Sequence, residues 1–192
     1  MAPSADAAQT LRVSFVCTGN RARSPLAEAL LRRQTEGLPV EVGSFGVLDA
    51  EGWPPLPEAA AVASALGLDL GEHRSRPLRT GCLRDADLVI GFELVHLAAA
   101  VERGGADPAR VFALLELPEL LEELEPEPGL EPVEAARRRI ARMHLRRPSI
   151  GAAGLRELPD PIGGSKQEFA ELGRVLQAVV GLLAATLFEA DL

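Results

Sequence analysis

VCTGNRARSP, running from Val16 to Pro25, joins two kinds of sequence. Upstream, LRVSFVC (Leu11 to Cys17) is an apolar run rich in β-branched and aromatic residues, the pattern of a buried strand. Downstream, LAEALLRRQ continues at helical period, with Ser24 offering an N-cap and Pro25 standing at the first helical position. A cysteine that only fills core needs no such setting. A cysteine meant to attack an anion needs nearly all of it. A strand–loop–helix turn makes successive backbone N–H groups converge at the positive end of a helix.

The rest of the chain repeats the alternation. PVEVGS, ADLVIGF and RVFALL read as further strands, and PEAAAVASALGL and ELVHLAAAVERGG as helices between them. SKQEFAELGRVLQAVVGLLAATLFEA reads as a long final helix capped by Ser165. This order predicts an α/β three-layer sandwich, a four-stranded parallel sheet with helices on both faces. Ligands in such folds bind beyond the carboxyl ends of the strands, where Cys17 sits. The 192 residues make one domain over 11–192, behind a flexible tail at 1–10. An insertion around 117–150 stands apart, first acidic (PELLEELEPEPGLEP) and then basic (VEAARRRIARMHLRR). Val133, Ile140 and Met143 share one face of a helix starting near Pro132. It reads as a solvated surface helix with Glu-to-Arg pairs, or alternatively as a lid or docking arm.

Composition narrows the function. A net charge of −8 argues against a general nucleic-acid binder but leaves room for a local anion pocket. Two cysteines exclude a disulfide framework and a cysteine zinc site, and they fit a reducing compartment. The N-terminus lacks signal-peptide features, and Val175 to Phe188, the most apolar segment, is short for a bilayer. A cytoplasmic protein without a membrane partner is expected.

Within the loop, Cys17 and Arg23 enclose Thr18, Gly19, Asn20, Arg21 and Ala22, and Ser24 follows. Arg23 adds a planar fork suited to two phosphate oxygens. Gly19 lets the backbone approach closely, and Asn20 tolerates left-handed geometry. The same positive field favours thiolate over thiol at Cys17, and Ser24 can donate a hydrogen bond to the sulfur. A thiolate attacking phosphorus needs a proton donor for the leaving oxygen. LPDPIGGSK supplies one in Asp160, between two prolines and ahead of two glycines.

Taken together, VCTGNRARSPLAEAL resembles the signature of the low-molecular-weight protein tyrosine phosphatases, and PDPIGG resembles their general-acid loop. The resemblance implies the phosphotyrosine protein phosphatase I-like fold, no metal or other cofactor, and a cysteinyl-phosphate intermediate. It implies Cys17 as nucleophile, Arg23 as phosphate binder and Asp160 as acid, then base. Asn20, Ser44 and His73 fall where the family supports its loop through side-chain hydrogen bonds. The implied partners are a phosphotyrosine-containing protein or a small aryl phosphate, with phosphate ion as product and the chain a monomer.

The chain departs from the pattern in places. Ala22 stands where many members carry a second cysteine, so oxidation of Cys17 should reverse poorly. Cys82 is expected to pack under a helix as a small apolar residue. Ile162 replaces an aromatic residue of the acid loop, leaving Trp53 as the platform for an aromatic substrate. Arg21 occupies a position that helps set substrate preference, and its charge disfavours phosphoarginine. Two rivals stay in view. A thiol-coupled arsenate reductase needs two more cysteines, and only Cys82 is present. A phosphate-binding module on a retired scaffold would lack Cys17, Arg23 or Asp160, and all three are here.

Overall fold

Leu11, Val13, Phe15 and Cys17 alternate along β1 (Leu11–Cys17) and join the core on one face of the sheet, while Val16 joins a second core on the other. Every residue of β1 except Arg12 is buried, so β1 belongs inside the sheet rather than at its edge. The computed structural model describes residues 10–122, 124–125, 129–150 and 156–188. Residues 1–9, on which the expected tail falls, and part of the acidic stretch lie outside it.

Four parallel strands run in the order β2 (Val40–Gly46), β1, β3 (Leu88–Gly91) and β4 (Val111–Ala113). Helices α1 (Arg23–Gln34), α2 (Pro57–Ala65) and α3 (Leu94–Glu102) follow β1, β2 and β3. After β4 the chain forms α4 (Leu117–Leu121), α5 (Pro132–Ile150) and α6 (Lys166–Phe188). The expected three-layer α/β sandwich is the one observed. Along α6, Phe169, Leu172, Leu176, Val180, Leu183 and Leu187 recur every three or four residues, and all are buried. They pack on the same sheet face as Leu26 and Leu30 of α1. On the opposite face, Ala100 of α3 meets Val16, Val89 and Val111. Ser165 and Glu168 close a reciprocal cap at the start of α6: Glu168 N donates to Ser165 Oγ at 3.3 Å, and Ser165 N to Glu168 Oε2 at 2.6 Å. The Ser165 N–H, and with it the Ser165 hydroxyl donating to the same oxygen at 2.9 Å, hold the Glu168 carboxyl below its ordinary range.

Several expectations need correction. At 23 residues, α6 is long and apolar enough to cross a membrane by length and composition, so it is not too short. Its apolar stripe nevertheless lines the domain's own core. Helix α5 is neither a lid nor merely a solvated surface helix, because Val133, Ala136, Ile140 and Met143 are buried in that same core. Its arginines anchor it. Arg147 lies 4.3 Å from the Phe112 ring and donates to the fully buried Glu116 at 2.6 Å, while buried Arg139 donates to the Leu187 carbonyl at 2.9 Å. One expected surface pair, Glu134 with Arg138, is present at 3.2 Å. Cys82 is exposed, not packed under a helix; the turn that carries it puts Leu83 into the second core instead.

Candidate active site

The strand register brings the loop and two glycines together. Cys17 lies opposite Gly46 and Val16 opposite Gly91, so three strands end at one level. Of these two glycines, Gly46 is where another backbone presses closer. A Cβ there would stand 2.9 Å from the carbonyl carbon of Gly19 and 3.0 Å from Asn20 N. At Gly19, to which the sequence assigned the close approach, an added Cβ would meet nothing within 4 Å. Gly19 leaves open space on the loop, and Gly46 makes the tight contact.

Asn20 is the hub of the floor. Its φ of 53° is the only positive value at a non-glycine position among the described residues, the left-handed geometry expected of it. Its N–H donates to Cys17 Sγ at 3.2 Å. Its side-chain amide donates to Ser44 Oγ at 2.7 Å and Ser24 Oγ at 2.8 Å, while Oδ1 accepts from Arg76 N at 2.8 Å. The Asn20 carbonyl meets His73 Nε2 at 2.8 Å. Ser44 Oγ in turn donates to the buried carboxylate of Glu28. Every polar group of this floor is paired, as burial demands.

Ser24 does not cap α1. The helix starts at Arg23 with Ala22 before it, and no side chain caps its N-terminus. The Ser24 hydroxyl lies instead 3.0 Å from Cys17 Sγ. An N-terminus left without a side-chain cap keeps its N–H groups for an anion.

Arg23 is fully buried, and four acceptors surround its guanidinium. Nη1 donates to Glu93 Oε2 at 2.6 Å and to the Leu158 carbonyl at 2.9 Å. Nη2 donates to Thr18 Oγ1 at 2.9 Å and Asp160 Oδ2 at 2.6 Å. Asp160, remote in sequence, is thereby brought to the loop. Its other oxygen accepts from Ile162 N at 3.2 Å, which fixes the carboxyl plane. The acid loop is itself held to the sheet end, since Leu158 N donates to the Phe92 carbonyl at 2.8 Å.

Two members of this cluster escaped sequence reasoning. Glu93 and His96 open α3, one turn apart, at the carboxyl end of β3. His96 Nδ1 accepts from Glu93 N at 3.0 Å, so Nε2 carries the proton and donates to Thr18 Oγ1 at 3.1 Å. Burial, then the charge of Arg23, lowers the His96 pKa to about 4, which keeps the ring neutral near pH 7. The available signal was an acid and a histidine three apart, just past a buried strand end. Glu28 on α1 was also missed; nothing about a glutamate in a helical run marks it as buried.

The rim is different. Trp53 and Ile162, the residues expected to line the substrate, are exposed, 54% and 64%. Leu48, Leu94 and Val95 are exposed too, each following a strand end of the site. Arg21 lies over Trp53 with Cζ 5.1 Å from the ring centroid, and its Nε donates to the Pro54 carbonyl at 2.8 Å.

This arrangement is a phosphate-type loop with a buried cysteine, a buried arginine and a carboxyl gathered on it, and comparison with known proteins agrees. The family model of the low molecular weight phosphotyrosine protein phosphatases matches residues 12–128. A low molecular weight protein-tyrosine-phosphatase of Streptomyces coelicolor is 33% identical over 184 residues, 92% of this chain and 93% of that one. A protein-arginine-phosphatase of Bacillus subtilis is 36% identical over 106 residues, 54% of this chain and 70% of its own. Among solved structures, the arginine phosphatase YwlE, a mutant with a phosphorylated active-site serine, superposes with a TM-score of 0.68 at 26% identity, covering 94% of this chain and 97% of that one. The chain belongs to the low molecular weight phosphotyrosine protein phosphatase family. It is a hydrolase of that class, an enzyme rather than a binding module.

Proposed function

We propose that this protein hydrolyses aryl phosphate monoesters, phosphotyrosine in proteins foremost, through a cysteinyl-phosphate on Cys17. The observation that carries the reading is that Arg23 holds the loop, through Thr18, and the distant Asp160 with one nitrogen. The thiolate of Cys17 attacks phosphorus in line, the S–P bond forms and the O–P bond to the phenol breaks. Asp160 gives its proton to the leaving oxygen. Loop amides and Arg23 hold the equatorial oxygens in a site that excludes water from their partners. Asp160 then takes a proton from water, which attacks phosphorus and returns the thiolate and inorganic phosphate. Ser24, within hydrogen-bond distance of the sulfur, stabilises the departing thiolate.

The acid role requires that Asp160 carry a proton when the ester is bound. The cluster sets one guanidinium against two carboxylates. A phosphate dianion enters more readily once one carboxylate is neutral, and that proton is the one delivered to the leaving group. Glu93 stays behind as the permanent partner that aims Arg23.

Phosphoarginine is the second reading, raised by the arginine-phosphatase relatives. The cationic guanidinium of Arg21 at the mouth opposes a second guanidinium beside it, so an aryl ester is preferred. The exposed Trp53 and Ile162 suit a phenyl ring. A reduced nucleophile requires a reducing compartment, so the reaction is assigned to the cytoplasm.

Steady-state hydrolysis of aryl phosphates in excess chelator tests the reading. Wild type should turn over, Cys17→Ser should not, and Asp160→Asn should lose about 10²–10⁴-fold, most with poor leaving groups. Equal loss for good and poor leaving groups would remove Asp160 from the acid role.

A further inference from the structure

Two arginines stand two residues apart in one loop, and their surroundings differ. Arg23 is enclosed by four acceptors. Arg21 makes one side-chain hydrogen bond, Nε to the Pro54 carbonyl, and stacks on Trp53. Of its five N–H donors, the four on Nη1 and Nη2 have no hydrogen-bond or ion-pair partner among the described residues. This fork is also held still. The Arg21 carbonyl accepts from Leu56 N at 2.9 Å. Trp53 is stapled by buried Ser75, which takes the Trp53 N–H at 2.9 Å on its hydroxyl and donates its own N–H to the Trp53 carbonyl at 2.9 Å. Ser75 Oγ also donates to the Ala50 carbonyl at 2.6 Å.

Topology gives the rim two unlike sides. The Trp53 segment follows β2, whereas Glu93, Glu157 and Asp160 gather at the end of β3, and β1 with Cys17 lies between those strands. One side of the mouth therefore presents a fixed cation with unused donors and the other presents carboxylates. A planar fork with paired N–H groups matches a carboxylate edge to edge. Stacking on an indole keeps the fork planar to its partner and lessens the ordering cost that weakens most surface ion pairs.

We propose that Arg21, set by Trp53, is a specificity-determining residue that reads a carboxylate beside the phosphorylated side chain. The favoured substrates are phosphotyrosyl segments with an aspartate or glutamate next to the phosphotyrosine. This rests on the phosphatase reading above.

The test uses the full chain and matched phosphotyrosyl peptides with Glu or Gln on each side of the phosphotyrosine. The readout is the Glu-to-Gln ratio of kcat/KM, which cancels any general change in activity. Wild type should favour Glu on one side about three- to tenfold at low ionic strength, and less in high salt. The ratio should fall to about one in Arg21→Gln, and take an intermediate value in Arg21→Lys, which keeps the charge without the fork. Trp53→Leu should lower the ratio while Arg21 stays in place. Equal hydrolysis of Glu and Gln peptides by wild type would overturn the subsite and leave the phosphatase reading standing. Hydrolysis of neither peptide nor a small aryl phosphate would overturn both. A ratio unchanged in Arg21→Gln would move the preference to another residue and overturn the assignment.

Discussion

The floor of the site and its rim are built by opposite rules from neighbouring residues. Asn20, Ser24, Ser44 and Arg23 are fully buried, and each is held by several partners. Arg21, Trp53 and Ile162 sit at the mouth with few hydrogen bonds, Trp53 and Ile162 exposed and Arg21 half-buried. An unpaired polar group costs most where water is absent, so the floor must be saturated before any substrate arrives. On the rim, water is a ready substitute partner, and a side chain can keep its donors for a substrate. Reaction chemistry belongs to the saturated region and selectivity to the unsaturated one.

Substitutions in the two regions should therefore differ sharply. Arg23→Lys should cost the most, about 10³-fold or more in kcat/KM for an aryl phosphate, because an ammonium cannot serve Glu93, Asp160, Thr18 and a phosphoryl group in one plane. A loss below tenfold would mean that Arg23 merely fills space.

His96 ties the floor to pH. Its pKa is about 4 in the folded chain against about 6.5 when unfolded, so the unfolded chain takes the proton first as pH falls. The stabilisation is whole above about pH 6.5 and is lost progressively toward pH 4, amounting to about 3 kcal/mol. Denaturant melts of wild type and His96→Asn across that window should show the steeper slope in wild type. Parallel slopes would place the titration elsewhere.

Asn20→Ala should destabilise by about 3 kcal/mol, from lost buried hydrogen bonds plus the left-handed φ. Asn20→Gly should lose about 1 kcal/mol less, since glycine accepts that φ. At the rim, Ile162→Ser should change stability by no more than about 0.5 kcal/mol, read in the same melts. A rim variant as damaging as Asn20→Ala would erase the distinction between the regions.

What the sequence conveyed follows the same division. The apolar run of Leu11 to Cys17 foretold a strand enclosed on both faces, and the cysteine, Asn20 and arginine spacing foretold the loop. The prolines around Asp160 marked a stiff turn, though only the fold brings it to Arg23. Partners made by tertiary packing left no local trace. Ser24 looked like a cap because a serine before a proline usually is one, yet Cys17 and Asn20 claim its hydroxyl. Arginines in α5 masked a core helix, because long side chains can bury their stems and still find carbonyl or carboxylate partners. Glu93 and His96 gain meaning only once β3 ends beside β1.

The most direct test of the account is rapid acid quench of a single turnover with an aryl phosphate bearing a good leaving group, followed by mass spectrometry of the Cys17 peptide. A phosphoryl group should form on Cys17 together with phenolate release. It should accumulate in Asp160→Asn, where the water-activating base is gone, and be absent in Cys17→Ser. Release of phosphate with no adduct on Cys17, and with activity surviving in Cys17→Ser, would contradict it.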